Sequence, residues 1–361
     1  MPPTLSVLVP GLLGPPCDSV DRARWLQVAT EAQDFSAIEK LLERAQAVDD
    51  AYADSSLEGM LCRAFSVQPG RGGDWPVGAA CYESDGGSLD ANALYLRADP
   101  VFVRPGLAEV SLRVADDIGI TGEDAAALCA ELNTHFAGRP ARLESLDPAR
   151  WYLRCDHDVL SGSAPPSLAA AGFVDDLFPV GDEARQWRGW LNEVQMVLHA
   201  SRVNEVRVAR GDLPVNSLWL WGAGGSLSQA SEWRRVSGDD FLAQALARAT
   251  GSRYQALPAD LNAWSPHNPQ EPGNELVVMT SLYIPALNRD IQSWREQMEL
   301  LEANWFKGML SRLAGCEFSS INFHPGFGRA YRATSRAQKR FWKRSRGLAS
   351  LVELEVEGAC E

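Results

Sequence analysis

Residues 199–225 read HASRVNEVRVARGDLPVNSLWLWGAGG. A charged stretch ends at Gly211, and residues 218–221 then form a short apolar run that leads into a glycine turn at 222–225. Such a run is typical of a buried strand. In open α/β sheets, ligands bind outside the carboxyl ends of strands. The stretch therefore predicts a core strand followed by a turn that is placed to hold a ligand.

The same alternation of strand and helix signals extends in both directions. Residues 4–9 form another apolar run, which ends at Pro10-Gly11 and predicts a buried strand. Apolar residues recur at helical spacing over 36–48, 183–200 and 293–313. Strands that alternate with helices predict an α/β fold with a mainly parallel sheet and helices on both faces.

The middle of the chain has a different pattern. Residues 66–92 are rich in Gly, Pro and Ser and predict loops around one short strand near 77–82. Further on, residues 107–114 alternate as in a strand, and Thr121 begins a predicted helix that two more strands follow. This β-α-β-β run predicts an inserted α+β subdomain. The expected boundaries are 1–103 and 176–346 for a discontinuous core domain, 104–175 for the insertion and 347–361 for a C-terminal tail.

Composition restricts the classes of protein to which the chain can belong. The formal net charge of −13 over 361 residues argues against a nucleic-acid-binding protein, since the chain as a whole repels phosphate backbones. Seven cysteines, an odd number with no CxxC pair, argue against a disulfide framework and a thiolate zinc site. The sequence has neither a membrane-spanning stretch nor a signal-peptide pattern, so we expect a cytoplasmic protein.

The polar residues around the glycine turn suggest anion binding. Backbone N–H groups of such turns point at oxyanions, and arginine binds oxyanions with two parallel hydrogen bonds. The alternative is that the turn is only a tight strand exit and the asparagines are turn and cap residues. Spacing alone favours this alternative. The candidate ligand-binding residues are Asn204, Arg207, Asn216, Gly222 and Gly224, with Arg97 and Asp99 as additions.

The run 199–225 also resembles a signature of the archaeal-type, cofactor-independent phosphoglycerate mutases of the alkaline phosphatase superfamily. The resemblance rests on Asn204, Arg207, Gly211, Pro214, Asn216, Gly222 and Gly224. The chain is also similar to a bacterial family called "regulatory protein, RpfE type", through VLVPGLLGP near the N-terminus, YLRADPV, WYLR, LNEVQMVLH, NSLWLWG and RFWKR. The first resemblance implies an alkaline phosphatase-like fold, and the second implies a regulatory role in a bacterium.

The chain departs from the enzymes at the positions that hold their metals. The resemblance implies an Asp-Gly after the first strand, where this chain has Val9-Pro10-Gly11. It implies an aspartate and a histidine after a later strand, where this chain has no candidate ligand between Thr280 and Asp290. Of a further Asp-His pair only His324 remains, and it is the one candidate metal ligand. Two divalent ions need several anionic ligands, so we predict no metal, no other cofactor and no phosphomutase activity.

A basic segment near the C-terminus carries the remaining candidate function. Residues 329–346 contain eight Lys or Arg residues and no acidic residue, with aromatic residues between them. Such a segment could contact phosphates and stack on bases. Because the chain as a whole is acidic, we favour instead a surface segment whose positive charge offsets the negative charge of the rest of the protein.

The sequence thus predicts a non-catalytic, pseudoenzyme-like regulatory protein that binds a small phosphorylated or carboxylated ligand. A protein partner is a further candidate, and a membrane partner is not expected. One alternative is an active metal-dependent phosphomutase or phosphatase with a rearranged site, which would require Mn, Zn or Mg. The other is nucleic-acid binding through 329–346.

Overall fold

The protein is described by a computed structural model that covers two compact units. The first unit comprises Met1–Ser66 and Ala230–Glu361, and the second comprises Val67–Gln229. These divisions differ from the expected ones, because 67–103 and 176–229 belong to the second unit and not to the unit of the first strand. The described residues are 4–70, 74–105, 110–114, 118–139, 141–156, 165–169, 182–264, 273–338 and 347–357.

The secondary structure alternates between strands and helices in the first unit and is mixed in the second. The strands are β1 (Thr4–Leu8), β2 (Gln46–Asp49), β3 (Leu94–Pro105), β4 (Val110–Arg113), β5 (Ala141–Asp147), β6 (Arg150–Cys155), β7 (Ser217–Gly224), β8 (Trp233–Gly238), β9 (Arg253–Ala256), β10 (Asn274–Val278), β11 (Ser320–His324) and β12 (Arg329–Thr334). The helices are α1 (Ser19–Thr30), α2 (Ser36–Glu43), α3 (Leu57–Ala64), α4 (Gly78–Ser84), α5 (Gly122–His135), α6 (Pro166–Ala169), α7 (Asp182–His199), α8 (Arg202–Ala209), α9 (Phe241–Ala249), α10 (Tyr283–Leu287), α11 (Ile291–Leu301), α12 (Lys307–Ala314), α13 (Ser335–Gln338) and α14 (Leu348–Glu357).

The first unit is built on a seven-stranded sheet in the order β2-β12-β11-β1-β10-β8-β9. The five strands from β11 to β9 are parallel, and β12 runs antiparallel to both β11 and β2. The mainly parallel sheet predicted from the sequence is therefore confirmed. Because side chains alternate along a strand, Val7 and Phe323 face one core, in which they pack with α1, α2, α11 and α12.

The C-terminal segment is part of that core. Residues 347–361 were expected to form a tail, but within the described portion α14 packs against α1. Leu348 and Val352 are fully buried in the same apolar cluster as the first strand. Burial of these aliphatic side chains accounts for the ordered helix, since each contributes about 1.5–3 kcal/mol when it is removed from water.

A buried carboxylate joins two helices of the first unit. Between α11 and α12 the helix takes one π turn, Glu302–Phe306, which carries the 2% exposed Glu302. The Glu302 carboxylate accepts hydrogen bonds from the backbone N–H groups of Ala37 (2.7 Å) and Ile38 (3.2 Å). Burial raises the pKa of Glu302, and these two N–H groups oppose the shift. Helix α2 has no side-chain hydrogen bond from its own N-cap residue, so Glu302 takes the place of a local cap.

We expect Glu302→Ala to lower the free energy of unfolding by about 2 kcal/mol, because two buried N–H groups lose their acceptor. Glu302→Gln keeps one acceptor oxygen and removes the buried charge, so its loss should be smaller, at about 1 kcal/mol or less. Urea unfolding of the two variants measures the difference. Equal losses would mean that the carboxylate does not cap the helix.

The second unit contains an antiparallel sheet. Strand β3 pairs with β6 and β4 along one edge and with β7 along the other, and β5 pairs with β6. The strand predicted at 218–221 is confirmed as part of β7, but it lies in this antiparallel sheet and not among parallel core strands. Helix α5 begins after Thr121, whose side chain accepts from the Asp124 N–H, as the cap residue predicted.

Two local predictions were wrong. The segment near 77–82 is helix α4, in which the small residues of Gly78–Ala80 pack closely against the sheet. Residues 46–48 were expected to continue the helix α2. Together with Asp49 they form the edge strand β2, because they pair with β12. Within the described residues, every helix is too short or too polar to span a bilayer.

Candidate functional site

Two of the predicted ligand residues, Arg207 and Asn204, hold the turn between α8 and β7. The Arg207 side chain is fully buried; its guanidinium donates to the carbonyl oxygens of Ile118 (2.6 Å) and Leu213 (2.9 Å) and to the Asp124 carboxylate (2.6 Å). The Asn204 amide donates to two backbone carbonyls, including that of Val215, and accepts from the Val215 N–H. Both side chains therefore fix the backbone around them.

Asp124 is the counter-ion of this arginine. It accepts from Arg207 and also from the half-exposed Arg210. Burial alone would raise the pKa of Asp124, but the hydrogen bonds from Arg210 and Arg207 outweigh it and lower the pKa. Asp124 is therefore ionised at neutral pH, and the charge of Arg207 is already compensated inside the chain.

The third predicted residue, Asn216, joins β7 to β3. Its amide donates to the Val103 carbonyl (2.8 Å), and its oxygen accepts from the Val103 N–H (2.7 Å). The side chain thus replaces the backbone hydrogen bonds that a ladder would make at this position. An asparagine with these two hydrogen bonds stabilises the strand pair. This agrees with the alternative from the sequence analysis, in which the asparagines have a structural role.

The glycine turn does point its N–H groups at an oxyanion, as its composition predicted, but the oxyanion belongs to the chain. One carboxylate oxygen of the buried Asp74 accepts from the N–H groups of Gly222 (2.9 Å) and Ala223 (3.3 Å). Gly222 has φ +75°, and a Cβ atom at Gly224 would lie 2.5 Å from the Cβ of Pro76. Both glycines are therefore required for the backbone to close around Asp74.

Arg97 and Asp99 form a buried ion pair on one face of the second sheet. Arg97 is the register partner of Tyr152 on β6 and of Trp221 on β7, so its guanidinium lies between the two rings, 5.6 and 5.4 Å from their centroids. Asp99, two residues along the strand, accepts from Arg97 Nη2 (2.6 Å) and from Trp221 Nε1 (2.8 Å). Burial alone would lower the pKa of Arg97, but the Asp99 carboxylate raises it.

Among the predicted residues, Arg207, the glycine turn and Arg97 each hold a carboxylate of this chain, whereas Asn204 and Asn216 bind backbone groups. The arginine of the α8 turn binds Asp124, the glycine turn binds Asp74, and Arg97 binds Asp99. Whether any of them also binds an external ligand remains a prediction.

The carboxyl ends of the central strands lie in the first unit, where the resemblance places the metals of the mutases. Gly11, just after β1, has φ +82°, and a Cβ atom there would lie 2.7 Å from the carbonyl oxygen of Leu282 and 2.9 Å from the Cβ of Ala286. Its N–H donates to the Pro325 carbonyl and its own carbonyl accepts from Trp294 Nε1. The space between the ends of β1 and β10 is therefore filled by backbone and apolar atoms.

The carboxylates at this edge of the sheet are engaged with neighbouring residues. Asp239, which follows β8 and which the sequence did not single out, accepts from the N–H and the hydroxyl of Thr280. Asp290 caps α11 by accepting from Ser293. Among the described residues, no three His, Cys, Asp or Glu side chains come close enough together to hold a metal ion. The described residues do not fit a two-metal centre.

His324 is the exception to this packed edge. It ends β11, and its Nδ1 lies 2.8 Å from the Asp50 carboxylate, which also accepts from the Tyr52 N–H at 3.0 Å. The Asp50 side chain is fully buried, and the Tyr52 ring lies against the imidazole with 4.2 Å between centroids. The resemblance to the mutases singled out His324 as a candidate metal ligand, but the sequence did not indicate Asp50, which lies 274 positions away.

A solved structure shares the fold of this chain. The PH0037 protein from Pyrococcus horikoshii superposes with a TM-score of 0.55 at 13% identity, over 99% of this chain and 97% of that one. A cofactor-independent phosphoglycerate mutase from Thermoplasma acidophilum gives a TM-score of 0.37 at 17% identity, over 92% of this chain and 90% of that one. No protein-family profile matches the chain, and no curated protein matches it either. The first similarity supports the fold alone.

Proposed function

We propose that this chain is a non-catalytic, pseudoenzyme-like regulatory protein that binds a small phosphorylated or carboxylated ligand on a phosphoglycerate mutase-like scaffold. The buried Pro10, which follows β1, precedes Gly11 and has no carboxylate, carries this proposal. In the enzymes that the sequence resembles, a metal-binding aspartate follows the first strand. Here that position is part of the apolar interior.

Charge balance supports the same conclusion. Two divalent cations close together require several anionic ligands, and one imidazole cannot supply them. The Asp239 and Asp290 carboxylates accept hydrogen bonds from Thr280 and Ser293, and Asp50 is bound to His324. Without the metals, the charge of a transferring phosphoryl group would not be neutralised. The regulatory role itself is supported by the resemblance to the RpfE-type family and by no single residue.

The proposal is tested with the purified full-length protein. We expect no conversion of 3-phosphoglycerate in the presence of Mn²⁺, Mg²⁺ or Zn²⁺, and no stoichiometric metal by elemental analysis of the isolated protein. Metal-dependent turnover, removed by a chelator and restored by one of these ions, would show that the chain is an enzyme with a rearranged site.

The nucleic-acid alternative stays a prediction. Arg329 and Arg332 lie on β12, but residues 339–346 are outside the described residues. A gel shift with a labelled oligonucleotide at low salt tests nucleic-acid binding. A retarded oligonucleotide would favour this alternative, against the expectation from the net negative charge of the chain.

A further inference from the structure

We infer that the ligand of the proposed function carries a carboxylate, which binds to the buried guanidinium of Arg22 at the start of α1. This inference rests on the proposed function, because it names the chemical class of the ligand and the residue that binds it. It assigns the ligand to the first unit, whereas the candidate residues predicted from the sequence lie in the second.

Arg22 is a buried cation without a negative partner. The residue is 8% exposed, and its guanidinium donates from Nη2 to the Cys17 carbonyl at 2.9 Å. Within the described residues, no group accepts a hydrogen bond from Nε or Nη1, and the side chain forms no ion pair. Burial of a charge is costly unless the charge is paired. The Cys17 carbonyl is a neutral acceptor, so it does not compensate the charge of Arg22.

The other two arginines that are buried in the described part of the chain show what such a partner is. Arg97 donates to the Asp99 carboxylate at 2.6 Å, and Arg207 donates to the Asp124 carboxylate at the same distance. Each guanidinium thus has a carboxylate as its counter-ion, in a charge-assisted hydrogen bond. By the same chemistry, the carboxylate of an external ligand completes the surroundings of Arg22.

Arg22 lies where α/β sheets bind their ligands. The loop 9–18 leads from the carboxyl end of β1 to α1, and β1 lies beside the parallel strand β10. Ligands of such sheets bind outside the carboxyl ends of the strands. The Arg22 side chain packs against this loop, since a Cβ atom at Gly14 would lie 3.3 Å from its Cγ and Nη2 binds Cys17. The guanidinium is therefore on the ligand side of the sheet.

The surrounding charges favour a carboxylate over a phosphate. Burial raises the pKa of the Cys17 thiol; Arg289 and Arg22 oppose this shift, whereas Asp18 and Asp21 add to it. Two cations and two carboxylates thus act on the same thiol and offset each other, so the charge that a ligand adds here should be small. A phosphorylated ligand brings about −1.5 to −2 charges at neutral pH, and the two aspartates repel it more strongly than the single charge of a carboxylate.

Access to the guanidinium requires a local movement. The chain covers Nε and Nη1, and the segment 15–17 is attached to the guanidinium through the Cys17 carbonyl. This segment lies between Gly14, which has φ +83°, and Asp18, the N-cap residue of α1. A carboxylate is a stronger acceptor for arginine than a carbonyl. In the bound state the ligand replaces the Cys17 carbonyl, and the segment moves outward.

Titration of the isotopically labelled full-length protein with acetate tests the site by NMR, with chloride exchanged for acetate at constant ionic strength. We expect the Arg22 Nε–H and Cys17 N–H signals to shift and to saturate, and inorganic phosphate to bind more weakly. Arg22→Gln should weaken acetate binding by about tenfold or more, measured on the Cys17 signal, because charge-assisted hydrogen bonds are lost. Arg24→Gln, which removes a 75% exposed arginine of the same helix, should leave the affinity unchanged.

The movement of the segment 15–17 has a measurement of its own. We expect acetate to raise the rate at which iodoacetamide alkylates Cys17 by about twofold or more, because the thiol is more exposed when the segment has moved. Cys316 is exposed without any such movement and is the internal control, so its rate should not change. Mass spectrometry of the alkylated peptides measures both rates in the unaltered protein.

Four results would overturn the inference or part of it. Without an acetate-dependent shift in the unaltered protein there is no site, even if Arg22→Gln does not fold. Equal acetate affinity in Arg22→Gln and the unaltered protein would exclude Arg22 as the binding residue. Tighter binding of phosphate than of acetate would contradict the ligand class, and an unchanged Cys17 rate would contradict the movement. Metal-dependent turnover of 3-phosphoglycerate would instead contradict the non-catalytic function while leaving the acetate titration valid, so the two failures are distinguishable.

Discussion

Arg207→Ala is expected to lower the free energy of unfolding of the second unit by about 3–5 kcal/mol, as for other broken buried ion pairs. The side chain is fully buried, so alanine would leave a cavity, two unpaired carbonyl oxygens and an Asp124 carboxylate without its buried counter-ion. Urea unfolding, followed by tryptophan fluorescence, measures the loss.

Arg210→Ala provides the matched control. Arg210 donates to the same Asp124, but its side chain is 40% exposed, and exposed pairs contribute about 0–1 kcal/mol. We expect a loss within that range. Similar losses for the two variants would mean that Arg207 does not organise the turn. Arg207 would then again be a candidate for binding an external ligand.

Lowering the pH should weaken the ion pair between Arg207 and Asp124. The pKa of Asp124 is lowered in the folded protein, so its contribution to stability is complete above the ordinary carboxyl pKa of about 4 and is lost as pH falls further. Arg207→Ala loses more free energy of unfolding than Arg210→Ala, and this difference should therefore become smaller below about pH 4.

Gly78→Ala should lower the free energy of unfolding by about 3 kcal/mol, at the upper end of the usual effect of overpacking. A Cβ atom there would lie 2.1 Å from the Tyr95 carbonyl oxygen and 2.8 Å from that of Gly222. Both obstacles are backbone atoms of the sheet, so neither can move without disturbing the pairing of β3 with β7. The loss is measured by urea unfolding.

Gly189→Ala is the control for this substitution in the same unit. Gly189 lies inside α7, where a Cβ atom would meet nothing within 4 Å. Alanine is the better helix former, so we expect the variant to gain about 0.5–1 kcal/mol. No loss at position 78 would contradict the packing described for α4, and a loss at position 189 would contradict the open surroundings described for Gly189.

Elements whose signal is local were predicted well from the sequence. Helix α5 begins at the cap residue Thr121 and β1 ends before Pro10, because a cap and a helix breaker act on their immediate neighbours. Elements that depend on distant partners were predicted poorly from the sequence. Strand β2 exists because Gln46–Asp49 pairs with β12, and α4 replaces a predicted strand because Gly78 packs under Tyr95 and Gly222.

The sequence by itself determined the alternation of elements in the first unit, and it singled out the arginines, the glycine turn and His324. Only the tertiary structure decided which partner each of these groups has. Asp74 lies 148 positions from Gly222, Asp124 lies 83 from Arg207, and Asp50 lies 274 from His324. Periodicity and capping act over a few residues, whereas the pairing of buried charges is set by how separate elements pack, and no local pattern encodes that packing.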